Sequence, residues 1–169
     1  MKQILLMRHA KSGWDNPLLK DFDRPLNERG LKDASSIGKF LRKCDYIPGS
    51  LISSPAERAK TTSTLCMKSA SLNEEIIIWN RDFYYGGIQD YIAAIQNAEE
   101  EHERIMLVGH NPLMEETAGT LAGANSKIAI RMPTAAIVCL ESPVKTWKAI
   151  HPGACQIKWM IIPENLNEL

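Results

Sequence analysis

Neither sign of charge is in excess in this sequence, in which 20 lysine and arginine residues stand against 20 aspartate and glutamate residues. Proteins that bind nucleic acids or anionic membrane surfaces usually carry a basic surplus, so neither partner is predicted here. No apolar run approaches the roughly 18 residues that a membrane-spanning helix needs. The first residues also lack the basic, apolar and small-residue pattern of a secretory signal. We therefore expect a soluble, cytoplasmic protein.

Closely spaced cysteines are missing as well. Cys44, Cys66, Cys139 and Cys155 are scattered through the chain, and no two have the C-x-x-C spacing of a zinc ribbon or a thioredoxin-like site. We expect buried, reduced thiols, and the position of Cys139 inside the apolar run 135–140 is typical of one.

Apolar runs alternate with helical patterns along the 169 residues. The runs predict six strands, at 4–7, 51–53, 75–79, 105–108, 135–141 and 156–162. Apolar residues at helical spacing predict helices at 28–43, 55–69, 88–103 and 112–121, with Asn27 and Asn111 as N-caps of the first and the last. Residues 123–133 are predicted to connect elements, and 147–150 are a candidate for pairing beside the last strands. The pattern predicts one domain over residues 1–169, a three-layer α/β/α sandwich with a mixed, mainly parallel sheet.

The start of the second helix carries several signals in a row. Ser54 stands as a candidate N-cap, Pro55 would occupy the first helical position, and Glu57 would complete a Ser-x-x-Glu capping box. These signals place Arg58 on the first turn, where the free N–H groups of the helix already favour an anion.

Arginine and histidine residues follow three of the predicted strands. Arg8 and His9 follow the first strand, Arg58 the second and His110 the fourth. Parallel strands joined by helices leave the sheet at the same edge, so we expect these four side chains to converge. Guanidinium forks beside imidazoles suit a phosphoryl group, with the guanidinium groups on its oxygens and a nucleophile in line.

A metal site is the other interpretation of clustered histidines. His9, His102, His110 and His151 show no H-E-x-x-H or H-x-H spacing and no paired carboxylates beside them, and the neighbouring arginines would repel a divalent cation. We expect no metal and no cofactor. His102 and His151 are interpreted as solvated residues at a helix end and in a turn.

Four segments, 6–12, 24–27 with Gly30, 53–62 and 108–112, resemble in that order the motifs of the histidine phosphatase superfamily, and in particular its short SixA-type phosphohistidine phosphatases. The resemblance implies a phosphoglycerate mutase-like fold with His9 as the nucleophile that is transiently phosphorylated. It also implies that Arg8 and Arg58 bind the phosphoryl oxygens. His110 would be a further donor that stabilises charge in the transition state.

The sequence departs from the family pattern at three places. Ala10 stands where a glycine usually follows the Arg-His pair, and Asp15 stands where many members have asparagine. The acidic proton donor that many members carry after the third strand has no clear counterpart, and Asp82 is the nearest candidate.

The missing acid bears on the substrate. An alkoxide leaving group needs protonation, whereas the imidazole of a phosphohistidine is much less demanding. The loops around the predicted site are too short to form a cap, which favours a phosphate presented on a protein. The alternatives are a phosphatase of sugar phosphates or other small phosphomonoesters, and a non-catalytic module that binds phosphoproteins. In either case we expect a monomer.

Two further residues stay open between a role in the site and a plain structural role. Ser12 either donates to the phosphoryl group or forms a turn. Arg24 is either a third cation that binds substrate at the rim or an ordinary surface arginine.

Overall fold

The computed structural model describes residues 1–123 and 130–166. Its six strands form one sheet: β1 (Lys2–Arg8), β2 (Ser50–Ser53), β3 (Ile77–Trp79), β4 (Arg104–Gly109), β5 (Ile137–Ser142) and β6 (Gln156–Ile161). The order across the sheet is β3-β2-β4-β1-β5-β6. The first four strands in this order run parallel, and β5 and β6 are antiparallel to their neighbours. The prediction of a mixed, mainly parallel sheet is confirmed.

Helices pack on both faces of this sheet. They are α1 (Glu28–Lys43), α2 (Glu57–Ser69), α3 (Asp82–Tyr85), α4 (Ile88–Gln96) and α5 (Leu113–Leu121). Four short 3₁₀ turns lie at Asp21–Asp23, Glu74–Ile76, Trp147–Ala149 and Pro163–Leu166. Within 1–123 and 130–166, no helix is both long and apolar enough to cross a membrane.

Strand β1 shows why central strands of such a sheet consist of continuous apolar runs. Leu5 and Met7 pack into the core beneath α1 and α2, whereas Ile4 and Leu6 pack into the core beneath α4 and α5. Successive side chains of a strand point to opposite faces, so a strand covered on both faces buries every residue. The run then ends at Arg8, where the strand reaches the edge of the sheet.

Several boundaries differ from the predictions. Helix α4 was predicted over 88–103 but ends at Gln96. Acidic residues follow it, and their charges are unfavourable at a helix C-terminus. The predicted strand 75–79 begins as a 3₁₀ turn and is extended only over Ile77–Trp79. The segment 147–150 forms no strand, since Trp147 is fully buried in a 3₁₀ turn.

Two other predictions need correction or fall outside the structure. Cys44 is exposed because it caps the C-terminus of α1, beyond the last buried turn, and only the other three cysteines are buried. The predicted connection 123–133 includes residues 124–129, which lie outside the described residues. Asn27 is confirmed as an N-cap, because its side-chain oxygen accepts from the Gly30 N–H at 2.9 Å.

Candidate active site

The two site histidines follow neighbouring parallel strands. Arg8 at the end of β1 is in register with Gly109 at the end of β4, and the His9 N–H donates to the Gly109 carbonyl at 3.0 Å. As a result, the rings of His9 and His110 lie with their centroids 5.0 Å apart. The predicted convergence of these side chains at one edge of the sheet is confirmed.

The imidazole of His9 is held at both nitrogens. Its Nδ1 lies 2.8 Å from the carbonyl oxygen of Ala10, and its Nε2 lies 3.3 Å from the Nε–H of Arg58. A carbonyl only accepts, so Nδ1 carries the proton and Nε2 carries the lone pair, which accepts the hydrogen bond from Arg58. The sequence required such an acceptor for the ring without identifying it, and the structure assigns it to the adjacent residue.

Burial and positive charge keep this imidazole neutral. The side chain is 8% exposed, and burial together with the charges of Arg58, Arg8 and Arg24 lowers the pKa of His9 to about 4, against the opposing effect of the Ala10 carbonyl. Burial, the neighbouring His9 and the charges of Arg58 and Arg24 lower the pKa of His110 to about 3, against the opposing charge of Asp21. At neutral pH both rings are therefore uncharged while the site is empty.

Helix α2 fixes both Arg58 and the chain that follows His9. Arg58 lies on its first turn, as predicted, and is 5% exposed. One turn later, the Thr62 hydroxyl donates to the Arg58 carbonyl at 2.6 Å and accepts from the Ala10 N–H at 3.0 Å. The fully buried Ala10 methyl is accommodated here, so the departure from glycine leaves the chain in place.

The predicted capping of α2 is wrong. The helix begins at Glu57 after Ala56, and no side chain caps it. The hydroxyl of Ser54 lies 2.8 Å from Nε2 of His110, and the Glu57 carboxylate accepts from Thr61 and does not close a capping box. The segment from Ser54 through Pro55 lies outside the helix, and the Ser54 hydroxyl contacts His110 instead of capping the helix.

The start of α5 differs in a similar way. Asn111 does not cap this helix, because its amide donates to the carbonyl of Met132 at 3.1 Å. Pro112 takes the N-cap position, and the first helical residue is Leu113. The asparagine therefore ties the end of β4 to the segment before β5.

Six of the residues singled out by sequence line one cavity of about 270 Å³: Arg8, His9, Ser12, Arg24, Arg58 and His110. Arg24 is 9% exposed, which excludes an ordinary surface arginine, and its NH1 donates to the Ser12 hydroxyl at 3.0 Å. Its guanidinium carbon lies 3.6 Å from the centre of the Trp14 ring. Arg8 donates through NH1 to the Met132 carbonyl, and its buried Nε has no partner among the described residues.

The structure does not bring Asp82 into this group. Its exposed side chain lines a separate cavity of about 760 Å³. Among the described residues, one grouping of metal-ligating side chains is present, at Glu99, Glu101 and His102, and none of the three lines the cavity of His9.

Two residues at the site were missed by the sequence reasoning. The carboxylate of Asp21 contacts both Arg24 and Arg58, and the Tyr84 hydroxyl donates to it at 2.8 Å. Burial alone would raise the pKa of Asp21, but the Tyr84 hydrogen bond and the arginine charges outweigh burial and hold it below its usual value. Tyr84 also meets the ring of His110 edge-on at 5.4 Å. The one sequence signal was the Asp-x-x-Arg spacing of Asp21 and Arg24 in a polar segment.

Fold and site together define an α/β protein with an oxyanion-sized, cationic pocket and a neutral imidazole inside it. The family model of the histidine phosphatase superfamily (branch 1) matches residues 4–86. Over nearly half of its length the chain thus matches the histidine phosphatase superfamily.

Comparisons along the whole chain agree with this assignment. An uncharacterized chloroplastic protein of Arabidopsis thaliana is 27% identical over 176 residues, which cover 97% of this chain and 79% of that protein. An uncharacterized protein of Mycobacterium tuberculosis is 26% identical over 164 residues, which cover 93% and 99%.

Solved structures give the same fold. A protein of Agrobacterium tumefaciens assigned as the phosphohistidine phosphatase SixA superposes with a TM-score of 0.77 at 27% identity, covering 96% of this chain and 99% of that one. A SixA protein histidine phosphatase in complex with tungstate gives 0.82 at 20% identity, covering 97% and 99%. The predicted phosphoglycerate mutase-like fold of the short SixA type is confirmed.

Proposed function

We propose that this protein is a metal-independent phosphatase that forms a covalent phosphohistidine on His9 and acts on phosphohistidine carried by a protein. One observation supports the proposal above the others. The ring of His9 lines a cavity of phosphoryl size with Nδ1 fixed on the Ala10 carbonyl, so that Nε2 is unprotonated and accepts from Arg58. A nucleophile that is neutral and oriented before substrate binds has little reorganisation left to complete in the transition state.

In the first step, the Nε–H of Arg58 passes from Nε2 of His9 to a phosphoryl oxygen, and the freed Nε2 lone pair attacks phosphorus in line with the leaving nitrogen of the substrate. The new N–P bond forms while the P–N bond to the substrate breaks, and its electron pair remains on the leaving nitrogen. Because the substrate ring carries a proton on its other nitrogen, it departs as a neutral imidazole. In the second step, water attacks the phosphorus of phospho-His9. The electron pair of the N–P bond returns to Nε2, and inorganic phosphate and a proton are released.

The arginines supply the stabilisation that the phosphoryl oxygens need. Arg58 uses three of its five N–H groups within the protein, and Arg24 uses two, so both retain donors for a ligand. The buried Nε of Arg8, unpartnered among the described residues, is another donor to a bound anion. Hydrogen bonds of this kind contribute roughly 1.5 to 3 kcal/mol each.

His110 is assigned a second function in the same pocket. Its ring is neutral before substrate binds, and a bound phosphoryl dianion favours its protonated form. His110 would then donate to the phosphoryl oxygens as charge builds up in the transition state. Its contact with Ser54 holds the ring in place.

The choice of substrate rests on the acids around the pocket. Asp82 lies outside the cavity, and the carboxylate of Asp21 is ionised and bonded to two arginines and a tyrosine. Neither is placed to protonate an alkoxide. An imidazole leaving group does not depend on such an acid, which favours phosphohistidine over a phosphomonoester. A SixA protein of the same fold binds tungstate, an oxyanion, and this supports an oxyanion site in the present protein.

The test is turnover of a phosphohistidine peptide beside p-nitrophenyl phosphate and a set of sugar phosphates, each with and without a chelator. We expect the peptide to be preferred and the chelator to have no effect. A label from the peptide should be trapped on the wild-type protein as an acid-labile adduct and be absent from His9→Asn. Efficient turnover of the small esters alone would refute the substrate. Tungstate binding without any turnover would favour a binding module.

A further inference from the structure

We propose that Asp21 is a positioning residue of this site, resting on the function proposed above: its carboxylate holds the guanidinium groups of Arg24 and Arg58 in the geometry that receives a phosphoryl group. Neither the family resemblance nor the sequence pattern assigned it a role. The proposal comes from the contacts that this one side chain makes with the cationic wall of the pocket.

Both carboxylate oxygens of Asp21 are engaged. Oδ1 accepts from Nε of Arg24 at 3.0 Å, and Oδ2 accepts from NH2 of Arg58 at 2.9 Å and from the Tyr84 hydroxyl at 2.8 Å. The backbone carbonyl of Asp21 adds a fourth bond, from NH1 of Arg58 at 2.6 Å. One residue thus joins two arginines whose positions in the chain are 34 residues apart, at 24 and 58.

These bonds leave the arginines with defined orientations. Since NH1 and NH2 of Arg58 are both held by Asp21, its Nε is directed at Nε2 of His9. With Nε of Arg24 fixed, its NH1 reaches the Ser12 hydroxyl in the same cavity. A long arginine side chain loses rotamer entropy on ordering, and Asp21 has already imposed that order before substrate arrives.

Tyr84 holds Asp21 from the other side. Its ring packs edge-on against Phe22, the neighbour of Asp21, at 5.0 Å and against His110 at 5.4 Å. The phenol therefore connects the turn that carries Asp21 to α3. Loss of the phenol hydroxyl should loosen the carboxylate without removing its charge.

The direction in which the anion affinity changes when Asp21 is replaced distinguishes a positioning role from a purely electrostatic one. A negative charge beside the pocket opposes the binding of an anion, so charge alone predicts that removing it tightens binding. Positioning predicts the opposite, because released arginines must be ordered again by the ligand. A weaker affinity therefore supports positioning, and a tighter one supports the electrostatic explanation.

The experiment is Asp21→Asn, which keeps the shape of the side chain and removes its charge. The matched control is Asp23→Asn, an exposed carboxylate in the same 3₁₀ turn that makes no side-chain hydrogen bond with the described residues. Calorimetry with inorganic tungstate gives the affinity, and p-nitrophenyl phosphate gives kcat and KM. We expect Asp21→Asn to bind tungstate more weakly and to lose about tenfold in kcat/KM, equivalent to about 1.4 kcal/mol. Most of that loss should lie in kcat.

Tyr84→Phe should shift both measurements in the same direction by less, and Asp23→Asn should stay within about twofold of wild type. Urea unfolding of every variant separates a loss of fold from a loss of alignment. Tighter or unchanged tungstate binding by a folded Asp21→Asn variant would overturn the proposal. If wild type turns over no phosphorylated substrate, the proposed function fails, while the tungstate affinities still decide the role of Asp21.

Discussion

The lowered pKa of His9 makes the stability of the fold depend on pH in a defined direction. Burial and three arginines lower this pKa from 6.5 to about 4. Below about pH 6.5 the unfolded chain therefore binds a proton that the folded chain rejects. The free energy of unfolding must fall as the pH is lowered through this window, and the contribution of His9 is fully present only above pH 6.5.

The size of the effect follows from the shift. A change of one pKa unit corresponds to about 1.36 kcal/mol, so going from about pH 7.5 to about pH 4.5 should cost roughly 2.5 kcal/mol through His9 alone. Carboxylates and His110 titrate in the same range, which hides this contribution in the wild-type curve. The difference between wild type and His9→Asn isolates it, because the asparagine amide can still donate to the Ala10 carbonyl but does not titrate.

The assay is urea unfolding of both proteins at several pH values between about 4.5 and 7.5, with the slope m compared to confirm two-state behaviour. His9→Asn should lose less stability on acidification, and the two curves should separate progressively below about pH 6.5. Histidine NMR titration should show the His9 ring remaining neutral until about pH 4. Parallel stability curves, or a ring that titrates near 6.5, would refute the neutral nucleophile.

Three substitutions give further expected outcomes. Arg58→Lys keeps the charge but not the fork that contacts His9 and Asp21, so kcat/KM should fall about ten- to a hundredfold, and near-normal turnover would contradict the role of the fork. Asp82→Asn should leave kcat on a sugar phosphate, whose alkoxide leaving group needs a proton, within about twofold of wild type, and a larger loss would restore this residue as the proton donor. Gly30→Ala should destabilise the protein by about 1 to 3 kcal/mol in urea unfolding, because the new methyl carbon would lie 2.1 Å from the carbonyl oxygen of Lys11. Unchanged stability in that variant would mean that the loop after His9 moves freely.

The central part of the fold follows from the sequence because its physical signals are local. Strands β1 and β4 are buried on both faces and consist of unbroken apolar runs. Helix α1 has an asparagine cap at one end and a continuous apolar face, so both its limits are predicted. Strand β3 and the end of α4 are less well predicted, because three residues at a sheet edge and a fading helix give little periodicity.

The site residues that follow predicted strands could be found from the sequence, whereas those defined by distant partners could not. Arg8, His9, Arg58 and His110 were found because each follows a strand whose direction the topology determines. Ser54 was misassigned because a serine before a proline and a glutamate has the pattern of a capping box, and a hydroxyl that is within reach of His110 is not visible as a pattern. A local motif is ambiguous wherever a distant partner competes for the same hydrogen bond.

Asp21 has no local sequence pattern that by itself identifies it as a site residue. Its contacts with Arg58 and Tyr84 span 37 and 63 positions, and it lies in a polar segment without periodicity, where most carboxylates are solvated. Its importance depends on which side chains the fold places beside it, and within 13–25 only the spacing from Asp21 to Arg24 indicates one of them. The arginines of a cationic pocket repel one another, and their long side chains are flexible. A carboxylate that bonds to both holds them in one orientation before an anion binds. Once convergence of the arginines is predicted, the sequence should therefore be searched for an unassigned carboxylate on the neighbouring loops, and the Asp-x-x-Arg spacing at 21–24 was such a signal.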